Sequence, residues 1–178
     1  MNNEAVIDRS LQWVRRFVIG LDLCPFAARV VDSGRLGWEV TPAGDPGSAY
    51  RDFLACLEGF VTADQPETLL FVLPEAVPGF ESFLDLLEQC EWAIDQAGLA
   101  DRVQLASFHP DYRFDGAPPD DPANHSNRSP YPMLHLLRHD SVARAVAGHP
   151  NPSHIPERNC ALLRRMGEQE IARWKREE

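Results

Sequence analysis

Between Ser107 and His139 the chain reads SFHPDYRFDGAPPDDPANHSNRSPYPMLHLLRH and carries four of its six histidines, His109, His125, His135 and His139. His109-Pro110-Asp111 puts an imidazole and a carboxylate on one extended segment. That pairing serves as a general base with its orienting acid, or as two metal ligands. The same residues also describe a histidine closing a strand and an aspartate turning the chain around Pro110. Asn127-Arg128-Ser129-Pro130 reads as a helix start, where backbone N–H groups with Arg128 and Ser129 make an anion site. On that expected helix, running to about His139, His135 and Arg138 are three apart and share a face. His135 and His139 are four apart, the spacing of paired ligands. The plainer alternative is that Met133, Leu134, Leu136 and Leu137 bury the helix, His and Arg solvate it, and Arg128 pairs with a loop acid among Asp115, Asp120 and Asp121.

Cys24 precedes Pro25, which favours a helix opening at Pro25 with Cys24 at its N-cap. A thiol there feels the positive end of the helix and has a lowered pKa. The alternative is a cysteine buried in a tight connection. Cys56, Cys90 and Cys160 read as structural, and no CxxC spacing occurs.

These residues define the expected chemistry. An enzyme would use His109 as acid/base, Asp111 as its orienter, His135 as a second base and Cys24 as a thiolate nucleophile. Asn127, Arg128, Ser129 and Arg138 would hold a carboxylate or phosphate on a small anionic substrate. His109, Asp111 and His135 would suit a divalent metal such as Zn, Fe or Mn. The competing expectation is a non-catalytic metal- or protein-binding regulatory module whose Pro-rich loop (Pro118, Pro119, Pro122) meets a partner.

The rest of the chain must position this stretch. At 178 residues it suits one domain, 1–178, with the long loop 109–129 as its functional segment. A net charge of -10 and pI near 5.0 argue against non-specific nucleic-acid binding and against an anionic membrane surface. No secretory signal and no spanning apolar run is visible, so the cytoplasm is the expected location. GxGxxG, GxxxxGK[ST], GxSxG and HExxH are absent, which withdraws support from a dinucleotide fold, a P-loop enzyme, an α/β-hydrolase and a zincin.

Apolar spacing predicts helices from Asn2 or Asn3 to about Gly20, Pro25 to Val31, Ser48 to Val61, Phe80 to Ala97, Ser141 to Ala147 and Pro156 to about Lys175. Residues 37–41, 68–73 and 102–108 read as strands, the second a continuous buried run. Strand–helix–strand–helix–strand implies parallel pairing, and ligands then bind beyond the strands' carboxyl ends, at the sheet edge. The expected architecture is an α/β (or α+β) sandwich: a small, mostly parallel sheet of three to four strands covered by helices, with extra N- and C-terminal helices.

Three stretches, Ile19 to Ala27 (IGLDLCPFA), Phe108 to Phe114 (FHPDYRF) and Asn127 to Arg138 (NRSPYPMLHLLR), resemble a bacterial family, domain of unknown function 1415. The likeness in length and motif order spans nearly the whole chain. It implies a single-domain bacterial cytoplasmic protein and supplies no activity.

Overall fold

The computed structural model describes residues 2–175. Asn2 accepts a hydrogen bond from the Glu4 N–H at 3.0 Å and opens α1, Asn3–Trp13. The helix continues as a π-helical turn over Val14–Ile19. It ends at Gly20, where a side chain has no room: a Cβ would lie 2.1 Å from the Arg16 carbonyl and 2.9 Å from the Trp174 ring. The next elements are α2 (Ala27–Asp32), β1 (Leu36–Val40), α3 (Pro46–Thr62), β2 (Thr68–Val72), α4 (Phe80–Gln96) and β3 (Val103–Phe108). After a long loop come β4 (Met133–Arg138), α5 (His139–Ala147) and α6 (Ile155–Lys175). Helix α6 is kinked at Gly167, with φ 70° and ψ 170°, a region only glycine occupies without strain. The charged end expected after Lys175 lies outside the described residues.

The four strands form one sheet in the order β1-β2-β4-β3. β1 pairs parallel with β2, and β4 pairs antiparallel with both β2 and β3. The three strands read from the sequence therefore run the same way, and the mixed α/β architecture has the expected terminal helices. The ladders differ from the expectation: two of the three are antiparallel, because β4 slots between β2 and β3.

β4 is also the main correction to the sequence reading. Residues 133–138 are a strand, and the next helix starts at His139 rather than Ser141. The run MLHLLR satisfies a buried strand as well as a buried helix turn, and only pairing with two neighbours selects between them. His135 and Arg138 consequently do not share a helical face, and the His135–His139 pair no longer has ligand spacing.

The sheet is covered on both sides. Leu69, Phe71, Leu134, Leu136 and Val103 pack under α3 and α4. Leu70, Val72, Val40 and Met133 pack under α1, its π-helical turn and α6. Alternate residues of β2 and β4 thus serve two cores, which is why both strands are apolar on each face.

Candidate functional site

On the face of the sheet below α1, α2 and α5 lies a cavity of about 270 Å³. Its walls are mostly apolar: Val14 and Val18 of the first helix, Val30 of α2, Leu70, Ala106 and Phe108 of the sheet. The π-helical turn contains Val14 and Val18, so the widened backbone, a feature frequent at functional sites, roofs this cavity.

Two polar groupings break the apolar wall. His135 Nε2 meets the Thr68 hydroxyl. Its Nδ1 makes no hydrogen bond with the described residues. Burial alone drives the imidazole pKa down to about 4, so the ring is neutral at pH 7. The second grouping centres on Glu67, 4% exposed. It accepts from Arg29 and from the Ser141 hydroxyl, and Arg35 lies 3.2 Å away. Arg29 is the largest influence holding this carboxyl down to about 2, with Ser141 and Arg35 acting in the same direction. Beside the cavity Trp13, 8% exposed, keeps its indole Nε1 buried with no hydrogen-bond partner among the described residues. A buried donor without an acceptor is uncommon in a finished interior.

The residues singled out from the sequence scatter around this geometry. His135, Arg138 and Cys24 line the cavity. Cys24 also shares a second apolar cavity with Asn127 and Phe108, at the carboxyl end of β3. It is not an N-cap, however. Helix α2 starts at Ala27 with Phe26 at its cap. Burial pushes the Cys24 thiol up, opposite to the expected lowering, and this outweighs the N–H groups of Phe26 and Ala27.

His109 turns to the other face. It is fully buried against Phe80 and Phe83. Its Nδ1 accepts from the Asp111 N–H at 3.0 Å, so Nε2 carries the proton and donates to the Val77 carbonyl at 3.3 Å. Asp111 thus meets His109 through its backbone. His109, Asp111 and His135 do not converge, and among the described residues no group of three or more His, Cys, Asp or Glu side chains stands close enough to hold a metal ion.

Arg128 donates to the carbonyls of Tyr112 (3.0 Å) and Pro119 (2.7 Å), folding the long loop around itself. The Asn127 amide donates to the Ser107 carbonyl and the Ser129 hydroxyl to the Tyr131 carbonyl. Arg138 donates to the Phe60, Ala63 and Pro66 carbonyls and lies over the Phe60 ring. Arg29, Glu67, Thr68 and Ser141 were missed. The available signal was Glu67 separated by one residue from the apolar run Leu69–Val72, a place where a carboxylate needs a partner.

The family described as Protein of unknown function (DUF1415) matches residues 5–173, nearly the whole chain. The chain belongs to this family. No curated protein and no solved structure matches it. Among the described residues of this DUF1415 protein no helix is long and apolar enough to cross a membrane.

Proposed function

We propose that this chain is an enzyme acting on a small, largely apolar molecule that bears one carboxylate or phosphate group, with His135 as the acid–base residue. One arrangement carries the reading: an apolar cavity into whose wall is set a neutral imidazole, held at Nε2 by Thr68 and open at Nδ1. A histidine oriented through one nitrogen and unengaged at the other is the form that proton transfer requires. This moves the acid–base role from His109, whose two nitrogens are taken by the main chain, and from the sheet edge to the sheet face.

Charge and size support the substrate class. Arg29 and Arg138 against Glu67 leave the lining with one unit of positive charge, which accepts a single anionic group. A 270 Å³ cavity holds a ligand on the order of ten to fifteen heavy atoms, larger than benzene. An entering anion also raises the His135 pKa by Coulomb attraction, bringing a weak base toward the neutral range where it works best. The same reading places the protein in the bacterial cytoplasm. The family resemblance supports the first part, and four free cysteines suit a reducing compartment.

The test uses octanoate and phenyl phosphate as probes, with thermal stability and the His135 ring resonance as readouts. Saturable stabilisation that disappears in Ala106→Phe, which fills the cavity from β3, supports the reading. Stabilisation that survives Ala106→Phe, or no saturable effect from either probe, overturns it.

A further inference from the structure

The floor of the His135 cavity is graded from polar to apolar. Alternate residues of β3, β4 and β2 form rungs across this face of the sheet. Gln104 stands beside Leu137 and Thr68, then Ala106 beside His135 and Leu70, and Phe108 forms the last rung. Successive rungs are two residues apart, about 7 Å. At one end Thr68 stands with Glu67, Arg138 and Ser141. At the other, past His135, is Phe108, whose ring centroid lies 6.3 Å from that of the imidazole. A ligand with one polar and one apolar end is thus aligned along the strands, its apolar end toward the carboxyl end of β3.

Phe108 is also where another hollow begins. Val18, Cys24 and Phe108 line the His135 cavity and line as well the second apolar cavity, about 490 Å³, under the start of α6. This cavity is the larger of the two, and among the described residues no charged side chain lines it. Its polar side chains are engaged within the protein. Ser126 donates to Asn127 Oδ1 and the Asn127 amide to the Ser107 carbonyl, both at 3.0 Å. The Asn159 amide donates to the Leu23 carbonyl at 2.7 Å. That bond and the Arg158–Asp22 ion pair hold the start of α6 against residues 22–24. The rest of the lining is hydrocarbon and thiol, with Leu23, Phe114, Ile155 and Pro156 beside Cys24 and Cys160. Such a hollow gains from burying apolar surface and offers no charge for a second anionic group.

We infer that the substrate carries a long hydrocarbon tail that passes Phe108 and Cys24 into this second cavity, which makes it a long-chain amphiphile with a single anionic head. The inference rests on the reading of the His135 cavity and extends its ligand. An eight-carbon chain anchored beside Thr68 is used up within the two rungs, about 14 Å, that lead to Phe108. A fourteen-carbon chain reaches beyond them.

Methyl and imidazole resonances of the full chain, followed during titration with octanoate and with tetradecanoate below its micelle concentration, test this. Each methylene taken out of water is worth about fourfold in affinity, so tetradecanoate should bind on the order of a hundredfold or more tighter than octanoate. Both should shift the His135 ring. Only tetradecanoate should shift the methyls of Ile155, which lines the second cavity and not the first. Cys160→Phe fills the second cavity from α6, and Ser126→Leu fills it from the long loop. In either variant the advantage of the longer chain should fall by about tenfold or more, while octanoate binds as before. Tetradecanoate binding no tighter than octanoate, unmoved Ile155 methyls, or a full chain-length advantage in both variants overturns this inference and leaves the His135 reading standing. Absence of saturable binding by both fatty acids also overturns it, and removes the His135 reading as well when phenyl phosphate fails too.

Discussion

His135 stands opposite Leu70 in the β2–β4 ladder, yet its imidazole reaches diagonally to the hydroxyl of Thr68 two residues away. Diagonal neighbours across an antiparallel pair are within reach of a long side chain. The contact fixes the ring against the sheet and leaves Nδ1 without a hydrogen bond among the described residues.

The buried ring makes stability depend on pH. Its folded pKa is about 4, below the ordinary value near 6.5. The unfolded chain therefore binds the proton first, and stability falls as pH drops from about 6.5 to 4. Between pH 7.5 and pH 5 the loss from this residue is about 2 kcal/mol. His109 and His125, lowered mainly by burial, act in the same direction, so urea unfolding of His135→Gln beside the wild type isolates the contribution. Parallel pH profiles in the two proteins would show that the imidazole does not enter the folded state neutral.

Glu67 works in a different window. Its carboxyl is held down to about 2 by Arg29, Ser141 and Arg35. Its contribution is complete above the ordinary carboxylate pKa and disappears as pH falls toward 2. Glu67→Gln is expected to cost about 1 to 2 kcal/mol at pH 7, at the low end for a buried pair because both arginines reach water. Acid titration followed by circular dichroism checks it: the variant should lose less stability than the wild type between pH 4.5 and 2. An equal loss would mean that Glu67 is not the group protonated there.

Arg138 closes the end of α3. Its guanidinium serves the carbonyls of Phe60 and Ala63 at 2.6 and 2.7 Å while lying 4.2 Å from the Phe60 ring centroid. Lysine offers neither the fork nor the flat face. Arg138→Lys should destabilise by about 1 to 3 kcal/mol, read as a lower urea midpoint. A midpoint within error of the wild type would reduce the arrangement to a surface contact.

His109 is a pin between the β3 terminus and the segment before α4. With both nitrogens bonded to the main chain and the ring packed against Phe80 and Phe83, His109→Ala should cost about 2 to 4 kcal/mol through the cavity and the stranded Val77 carbonyl. Differential scanning calorimetry gives the answer directly. A melting temperature matching the wild type would contradict the structural role.

Much of the scaffold was readable in advance because its signals are local. The spacing of Phe83, Leu87, Cys90 and Ile94 sets α4, and the uninterrupted Thr68–Val72 run sets a strand buried on both faces. The long loop was visible as the polar, proline-rich gap between periodic segments. Residues 133–138 were not decidable locally, because six mainly apolar residues carry no period long enough to separate strand from helix. In β4 the three-residue spacing that put His135 and Arg138 on one helical face no longer applies.

The site divides the same way. Residue types alone marked His135, Arg138 and Cys24, all of which line the cavity. The sequence also carried an excess of acid, helices and strands of definite length, and the likeness to its family. Tertiary structure decided which nitrogen each histidine leaves open, that burial raises the Cys24 thiol, and that Arg128 and Arg138 spend their donors on carbonyls. It alone joined Glu67 to Arg29, 38 residues away, and to Ser141, 74 residues away. Periodicity registers a residue's exposure within its own element, whereas a partner so distant along the chain is set by how the elements pack, and burial, hydrogen bonding and pKa follow from that packing.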